Sequence, residues 1–236
     1  FSKKGCKLII IGRRKDRLLN LVKKFGSKKT LAINLDVRNK NAVFNTVSKL
    51  PKNFKNIDVL INNAGLAWGF EPAHKVDIKK WETMIDTNCK GLVYMTRAVL
   101  PGLIKRNKGH IVNIGSVAGS YPYGGGNVYG GTKAFVKQFS LGLKSDLLGT
   151  KVKITNIDPI PSSPILQGTY NAPAGEPLPP RVPASRDRSC APSRPTLPGK
   201  SGEEGSSLLL SCPQYLEIFE HYEPLRGIIF GIGREV

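Results

Sequence analysis

The sequence lacks long apolar runs and contains few cysteines. No stretch approaches the roughly 20 consecutive apolar residues of a membrane-spanning helix, so the composition does not favour a membrane protein. The four cysteines, Cys6, Cys89, Cys190 and Cys212, form no CxxC or CxxH spacing, which favours neither a metal site nor a disulfide scaffold. The first residues show no secretory signal. We therefore expect a soluble cytoplasmic protein.

Proline is scarce in the first part of the chain and lysine in the last. Residues 1–160 hold 23 of the 24 lysines and 5 of the 17 prolines. Residues 161–236 combine Pro, Gly, Ser and Arg without sustained periodicity, a composition typical of disorder. We predict an ordered domain over 1–160 and a mostly disordered or aberrant tail over 161–236, in which only the C-terminal apolar clusters leave room for a short helix or strand. A frameshift, a retained intron or a mispredicted exon near Ile160 would explain the change.

The formal net charge of +19 raises the question of a polyanionic partner. The lysines are spread over several predicted amphipathic helices rather than gathered in one segment, and such spacing usually marks solvated faces. We expect neither a nucleic-acid partner nor a membrane partner. Binding of nucleic acid through the net charge is kept as a minor alternative.

Apolar runs of branched residues alternate with segments of helical periodicity, which predicts βαβ units and a parallel sheet. The predicted strands cover residues 7–12, 30–37, 57–65, 109–116 and 152–159, and the predicted helices cover 15–25, 39–50, 77–101 and 129–148. The fold class is therefore α/β, with a doubly wound, Rossmann-like parallel sheet. Polar residues follow several strands at their carboxyl ends, where such folds bind ligands.

A tyrosine and a lysine four residues apart are the first candidates for chemistry. On a helix, Tyr129 and Lys133 would share one face. A neighbouring ammonium favours the phenolate and brings the tyrosine pKa, ordinarily about 10, closer to neutrality. A tyrosine and a lysine at this spacing occur together often by chance. Whether the pair is functional therefore depends on the other polar residues of the sequence.

Three further polar positions could complete a site. Ser116 follows a predicted strand, where it could hold a carbonyl or hydroxyl oxygen, although it could equally be an ordinary turn serine. Asn88 lies inside a predicted helix, a position that asparagine disfavours unless its side chain finds a partner. Residues 62–65, with the sequence NNAG, end a strand with two amides and a glycine that suits a close ligand approach.

In this order, the NNAG segment, Asn88, Ser116 and the Tyr129–Lys133 pair resemble the short-chain dehydrogenase/reductase family over about residues 1–160. The resemblance implies that Tyr129 donates or accepts the proton, and that Lys133 lowers the tyrosine pKa and binds the nicotinamide ribose. It also implies that Ser116 orients the substrate and that Asn88 supports the proton relay. The implied cofactor contacts are Asn63, Ala64 and Gly65, with Asp36 and Val37 at the adenine.

Cofactor choice depends on Arg13 and Arg14, which follow the strand predicted at 7–12. At this place an acidic residue would bind the 2′-hydroxyl of NAD, whereas two guanidinium groups favour the 2′-phosphate of NADP. We predict NADP, with a solvated basic turn as the alternative explanation.

Three longer segments, at residues 71–75, 81–102 and 120–143, are similar to the NADP-dependent serine, L-allo-threonine and 3-hydroxy acid dehydrogenases of this family. The similarity implies interconversion of a small hydroxy acid and its carbonyl product. Within the family, the helices corresponding to 77–101 and 129–148 form the subunit interface, so a homotetramer or homodimer is implied.

Two departures from the family pattern bear on these expectations. The family begins with a strand and a TGxxxGxG loop that holds the cofactor pyrophosphate, whereas residues 1–5 resemble the end of the following helix. We therefore expect an incomplete sheet without its central strand. After Pro159 the family pattern of a glycine and a closing segment is not continued. A catalytically inactive, truncated remnant is the alternative to an active oxidoreductase.

Overall fold

A computed structural model describes residues 1–69, 71–159 and 228–231. Its centre is a six-stranded, all-parallel sheet with the strand order β2-β1-β6-β3-β4-β5. The strands are β1 (Leu8–Gly12), β2 (Thr30–Asn34), β3 (Val59–Asn62), β4 (Gly109–Ile114), β5 (Val152–Ile157) and β6 (Ile228–Gly231). The predicted Rossmann-like α/β fold is confirmed.

Helices connect the first five strands in the expected alternation. They are α1 (Lys15–Phe25), α2 (Lys40–Ser48), α3 (Ile78–Met84), α4 (Leu92–Arg106) and α5 (Asn127–Asp146), with a π-helical segment, Ile85–Gly91, between α3 and α4. Two helices begin where side chains cap free backbone N–H groups: Asn39 accepts from Ala42, and Asp77 accepts from Lys79.

The helix predicted at 77–101 is longer than expected, because Pro101 lies inside α4 and the helix continues to Arg106. It ends at Asn107, which adopts the left-handed conformation at φ 46°. Asparagine tolerates this conformation better than most residues, and it satisfies the last turn of the helix. Proline alone was therefore a misleading signal for the end of this helix.

The central position of the sheet is filled by β6. β6 pairs in parallel with β1 and with β3, and Ile229 is in register with Ile9 and with Leu60. The sheet therefore has a strand between β1 and β3, and this strand is a short C-terminal element of the kind that the sequence had left open. The physical reason is that an apolar strand at this position satisfies the hydrogen-bonding edges of two buried neighbours.

The remainder of the predicted tail, residues 160–227 and 232–236, lies outside the described residues, so the division at Ile160 stays a prediction. The core consists of two apolar clusters, of which the larger includes Ile9, Leu60, Ile111 and Ile229. Within the described ranges, no helix combines the length and the hydropathy that crossing a bilayer requires.

Candidate active site

The candidate site lies at the carboxyl edge of the sheet, and buried amides join its strands there. The Asn62 side chain, at the end of β3, donates hydrogen bonds to Thr96 Oγ1 at 3.0 Å and to Asn113 Oδ1 at 2.8 Å. Asn113, on β4 and fully buried, donates to Ser140 Oγ on α5 at 2.9 Å. This network ties β3 and β4 to the helix that carries Tyr129 and Lys133. Asn62 belongs to the predicted NNAG segment, whereas Thr96, Asn113 and Ser140 were not predicted.

Asn88 lies in the π-helical segment, is 2% exposed and has all its polar atoms bonded. Its Oδ1 accepts from the backbone N–H of Leu66, and its Nδ2 donates to the Leu66 carbonyl and to Thr132 Oγ1, at 2.9 to 3.0 Å. The wider turn of a π-helix is frequent at functional sites. Asn88 therefore joins the segment after NNAG to α5, the helix of the Tyr–Lys pair.

Lys133 is 8% exposed and donates to the Ile114 carbonyl at the end of β4, at 2.8 Å. Its Nζ lies 5.7 Å from the centroid of the Tyr129 ring. Burial lowers the pKa of Lys133 to about 8, against the opposing effect of the Asp158 carboxylate. The predicted sharing of one helix face by Tyr129 and Lys133 is thus observed, with the ammonium beside the ring.

Ser116 begins the short 3-10 turn Val117–Gly119, which packs directly against α5. Two glycines permit this approach: a side-chain carbon on Gly119 would lie 2.7 Å from the backbone of Lys133, and one on Gly130 would lie 2.9 Å from the Ala118 carbonyl oxygen. The Ser116 backbone N–H donates to Asp158 Oδ1 at 3.1 Å, and its Oγ accepts from the Ala118 N–H at 3.2 Å. The serine is therefore held next to the turn of α5 that bears Tyr129.

A second group of charged residues lies at the ends of β1 and β2. Arg13 follows β1, and its guanidinium is 4.0 Å from Asp36 Oδ2. Arg38 forms a forked ion pair with the same carboxylate, at 2.6 Å from Nη2 to Oδ2. Arg14 is exposed and precedes the first residue of α1. Arg38 was not among the predicted site residues.

The residues Arg13, Asp36, Val37, Ala64 and Gly65 line one cleft. The resemblance had assigned these positions to the cofactor, and the cleft brings them together. Asn63 is half-buried directly beside Ala64 on the same segment.

Gly65 connects this cleft to the buried end of the site. A side-chain carbon on Gly65 would lie 3.3 Å from Asn88 Oδ1 and 3.7 Å from Lys133 Nζ. A larger residue would crowd both groups, so the glycine lets the backbone after β3 pass close to them. The charged cleft and the Tyr–Lys pair therefore lie next to each other along the carboxyl edge of the sheet.

These residues fit the two ends of a dinucleotide. The cleft combines the Arg13 guanidinium, the Asp36 carboxylate and apolar side chains, a set that could hold an adenosine with a 2′-phosphate. Lys133 offers an ammonium donor at the other end. Between them β6 ends at Gly231, at the carboxyl edge of the sheet where such folds bind a pyrophosphate. Residues 232–236, which follow, lie outside the described residues.

Comparisons with known proteins agree with this geometry. Residues 1–172 match the family described as short chain dehydrogenase. The chain is 60% identical over 159 residues to the NADP-dependent 3-hydroxy acid dehydrogenase YdfG of Escherichia coli strain K12, covering 67% of this chain and 64% of that protein. It is 51% identical over 159 residues to the serine 3-dehydrogenase of Agrobacterium fabrum, covering 67% and 63%.

Among solved structures, the chain is similar to a crystal structure of serine dehydrogenase from Escherichia coli, with 59% identity and a TM-score of 0.66, covering 67% of this chain and 73% of that one. A closed form of serine dehydrogenase complexed with NADP+ gives the same identity and TM-score, and 64% of that chain is covered. The chain thus spans somewhat less than two thirds of the curated relatives described above.

Proposed function

Because the chain belongs to the short chain dehydrogenase family, we propose that it is an NADP-dependent oxidoreductase that interconverts a small hydroxy acid and its carbonyl product. The observation that carries the proposal is the convergence of Tyr129, Lys133, Asn88 and the Ser116 turn at one edge of the sheet. The names of the relatives favour serine or another 3-hydroxy acid as the substrate class. The sequence resemblance adds L-allo-threonine to this class.

In the proposed reaction, Tyr129 takes the proton of the substrate hydroxyl during oxidation and returns it during reduction. A phenolate is needed for the first direction, and a positive charge nearby stabilises it. The Lys133 ammonium, 5.7 Å from the ring centroid, supports this role. Lys133 is itself held by the Ile114 carbonyl, so its position does not depend on the substrate.

Ser116 is proposed to orient the substrate oxygen, since its turn is packed against the helix that bears Tyr129. Asn88 is proposed to support the proton relay from its buried position between Leu66 and Thr132. Both residues are held by backbone contacts, which keeps their geometry constant while a substrate binds.

Lys133 and Tyr129 would hold the nicotinamide ribose, and Asn63, Ala64 and Gly65 would line the middle of the cofactor. Asp36 and Val37 would contact the adenine, and Arg13 and Arg14 would bind the 2′-phosphate. This distribution is supported by the cleft that Arg13, Asp36 and Val37 line together. When bound, the nicotinamide accepts or supplies the hydride that the substrate carbon exchanges.

We also propose a homotetramer or homodimer that is built through α4 and α5 and located in the cytoplasm. Large apolar side chains are exposed on this part of the molecule, including Ile85, Ile104, Phe135 and Leu141. Burial of such a surface is the usual driving force for association. Light scattering during gel filtration would measure the mass, and a monomer at micromolar concentration would contradict the proposal.

The decisive experiment compares the wild-type chain with Tyr129→Phe. Removing one hydroxyl should reduce turnover of serine and 3-hydroxy acids by at least about 100-fold, because the proton acceptor is lost. The thermal shift produced by NADPH should remain, since the ring and Lys133 are still present. Tyr94→Phe, on α4, is the matched control and should retain turnover.

Thermal melts with NADPH and NADH test the cofactor. A ligand at 100 times its dissociation constant stabilises the folded state by about 2.7 kcal/mol. A larger shift with NADPH than with NADH supports the proposal. A cooperative melt that neither cofactor moves, with no turnover to lose, would instead identify an inactive remnant.

A further inference from the structure

The starting observation is the geometry of the pair between Asp36 and Arg38. Arg38 Nε lies 3.0 and 2.9 Å from the two carboxylate oxygens, and its Nη2 lies 2.6 Å from Oδ2. The backbone N–H of Arg38 donates to Oδ1 as well, at 3.0 Å. One carboxylate therefore accepts hydrogen bonds from three N–H groups of a single residue two positions further along the chain, and the Nε–H is shared between its two oxygens. Such a forked arrangement fixes both the position and the orientation of the acid.

Asp36 and Arg38 face different surroundings. Asp36 lines the cleft together with Arg13, whereas Arg38 is not among the residues that line it. The Asp86 carboxylate also attracts the Arg38 guanidinium electrostatically. Asp86 Oδ1 is itself paired with Lys90 Nζ at 2.7 Å. Burial raises the pKa of Asp36, but the hydrogen bonds and the charge of Arg38, together with the charge of Arg13, lower it below its ordinary value. Asp36 is therefore ionised, and the positive charge of Arg38 compensates its negative charge.

The same acid lies close to the cation proposed for the 2′-phosphate. Asp36 Oδ2 is 4.0 Å from Arg13 Nη1, which is longer than a hydrogen bond. This is a long ion pair, and without a second cation the carboxylate would draw Arg13 into a closer, hydrogen-bonded one. It would also repel a dianionic phosphate placed at Arg13.

We propose that Arg38 determines the cofactor preference of this chain by compensating Asp36, which leaves Arg13 available for the 2′-phosphate. The inference rests on the proposed function, since it concerns the NADP site described there. Arg38 acts through Asp36 and is therefore a positioning residue. It allows one cleft to keep an acid for the adenine and still accept a phosphate beside it.

Isothermal titration calorimetry with NADPH and NADH tests this on the full chain. Arg38→Gln should weaken NADPH binding relative to NADH binding by about five-fold, a modest factor because both side chains are about one third exposed and water screens them. Arg97→Gln, an exposed arginine on α4 outside the cleft, removes the same charge and should leave the ratio unchanged.

A double variant separates charge compensation from a purely structural effect. Asp36→Asn combined with Arg38→Gln removes the uncompensated charge and should restore the NADPH preference. An Arg38→Gln variant that keeps the wild-type ratio, or that weakens both cofactors equally, overturns the inference while the proposed function stands. Failure of the double variant to restore the ratio overturns it as well. A wild-type chain that binds neither cofactor overturns the proposed function and the inference with it.

Discussion

Ile229→Ala tests the least expected feature of the fold, the central position of β6. Ile229 is 1% exposed, lies in the larger core cluster and is in register with Ile9 on one side and Leu60 on the other. Truncating a buried isoleucine to alanine costs about 2 to 5 kcal/mol, because transfer free energy is lost and a cavity remains. Domains of this size have a total stability of about 5 to 15 kcal/mol, so the effect is a large share.

Thermal unfolding followed by circular dichroism measures the change. For about 150 to 250 residues, 1 kcal/mol corresponds to about 2 to 4 °C, so the midpoint should fall by about 4 to 20 °C. Leu148→Ala is the matched control, since Leu148 is 79% exposed, and it should change stability by less than about 0.5 kcal/mol. A midpoint for Ile229→Ala within the error of wild type would refute the placement of β6 between β1 and β3.

Two further predictions follow from burial and close packing. Burial lowers the pKa of His110 to about 4 in the folded protein. As the pH falls, His110 is therefore protonated in the unfolded chain before it is protonated in the folded one. The free energy of unfolding should fall by about 2 to 3 kcal/mol between about pH 6.5 and pH 4. Urea titrations at both pH values should show this loss in wild type and a smaller one in His110→Gln, while His74→Gln at an exposed position should behave as wild type. Gly130→Ala should destabilise by about 1 to 3 kcal/mol, because the new methyl would lie 2.9 Å from the Ala118 carbonyl oxygen. Gly131→Ala, with open space around it on the same helix, should instead stabilise by about 0.5 to 1 kcal/mol, and equal effects in the two variants would contradict the packing of the Ser116 turn.

Element types followed from local periodicity, whereas element ends depended on tertiary contacts. The helix at 15–25 was predicted with its observed bounds. The strand expected at 30–37 ends at Asn34, because its parallel partner β1 ends at Gly12. Apolar residues continue beyond Asn34, but they enter the core from the loop, as Leu35 and Val37 do. Hydrophobicity alone cannot distinguish a residue buried in a strand from a loop residue whose side chain enters the core.

β6 could not be predicted because its pairing is non-local. Ile228–Gly231 is a run of four residues without alternation, separated from β5 by 70 residues of sequence. Nothing within such a run indicates a partner, and only the edges of β1 and β3 provide one. The sequence supported a short strand near the C terminus as one possibility, but not its position.

Only part of the candidate site could be predicted from the sequence, because some of its contacts depend on side-chain geometry. Asn88 stood out because a helical asparagine needs a partner, and the structure provides Leu66 and Thr132. Arg38 was missed, although it lies only two residues from Asp36, since a nearby arginine is common and only side-chain geometry reveals the fork. Residue types in the sequence indicated candidate positions for chemistry, and side-chain distances in the structure identified the neighbours that contact them.

The position of β6 also has a consequence for the two ends of the candidate site. β1 leads to Arg13 and the charged cleft, whereas β3 leads to the NNAG segment, Gly65 and the Tyr–Lys pair. Neighbouring strands are spaced by about 4.8 Å, so one strand between β1 and β3 separates their carboxyl ends by roughly 10 Å. If β1 and β3 paired directly, the two ends would approach to half that distance, and a dinucleotide could not span them in the same way. The strand most distant in sequence therefore sets the spacing on which the proposed cofactor site depends.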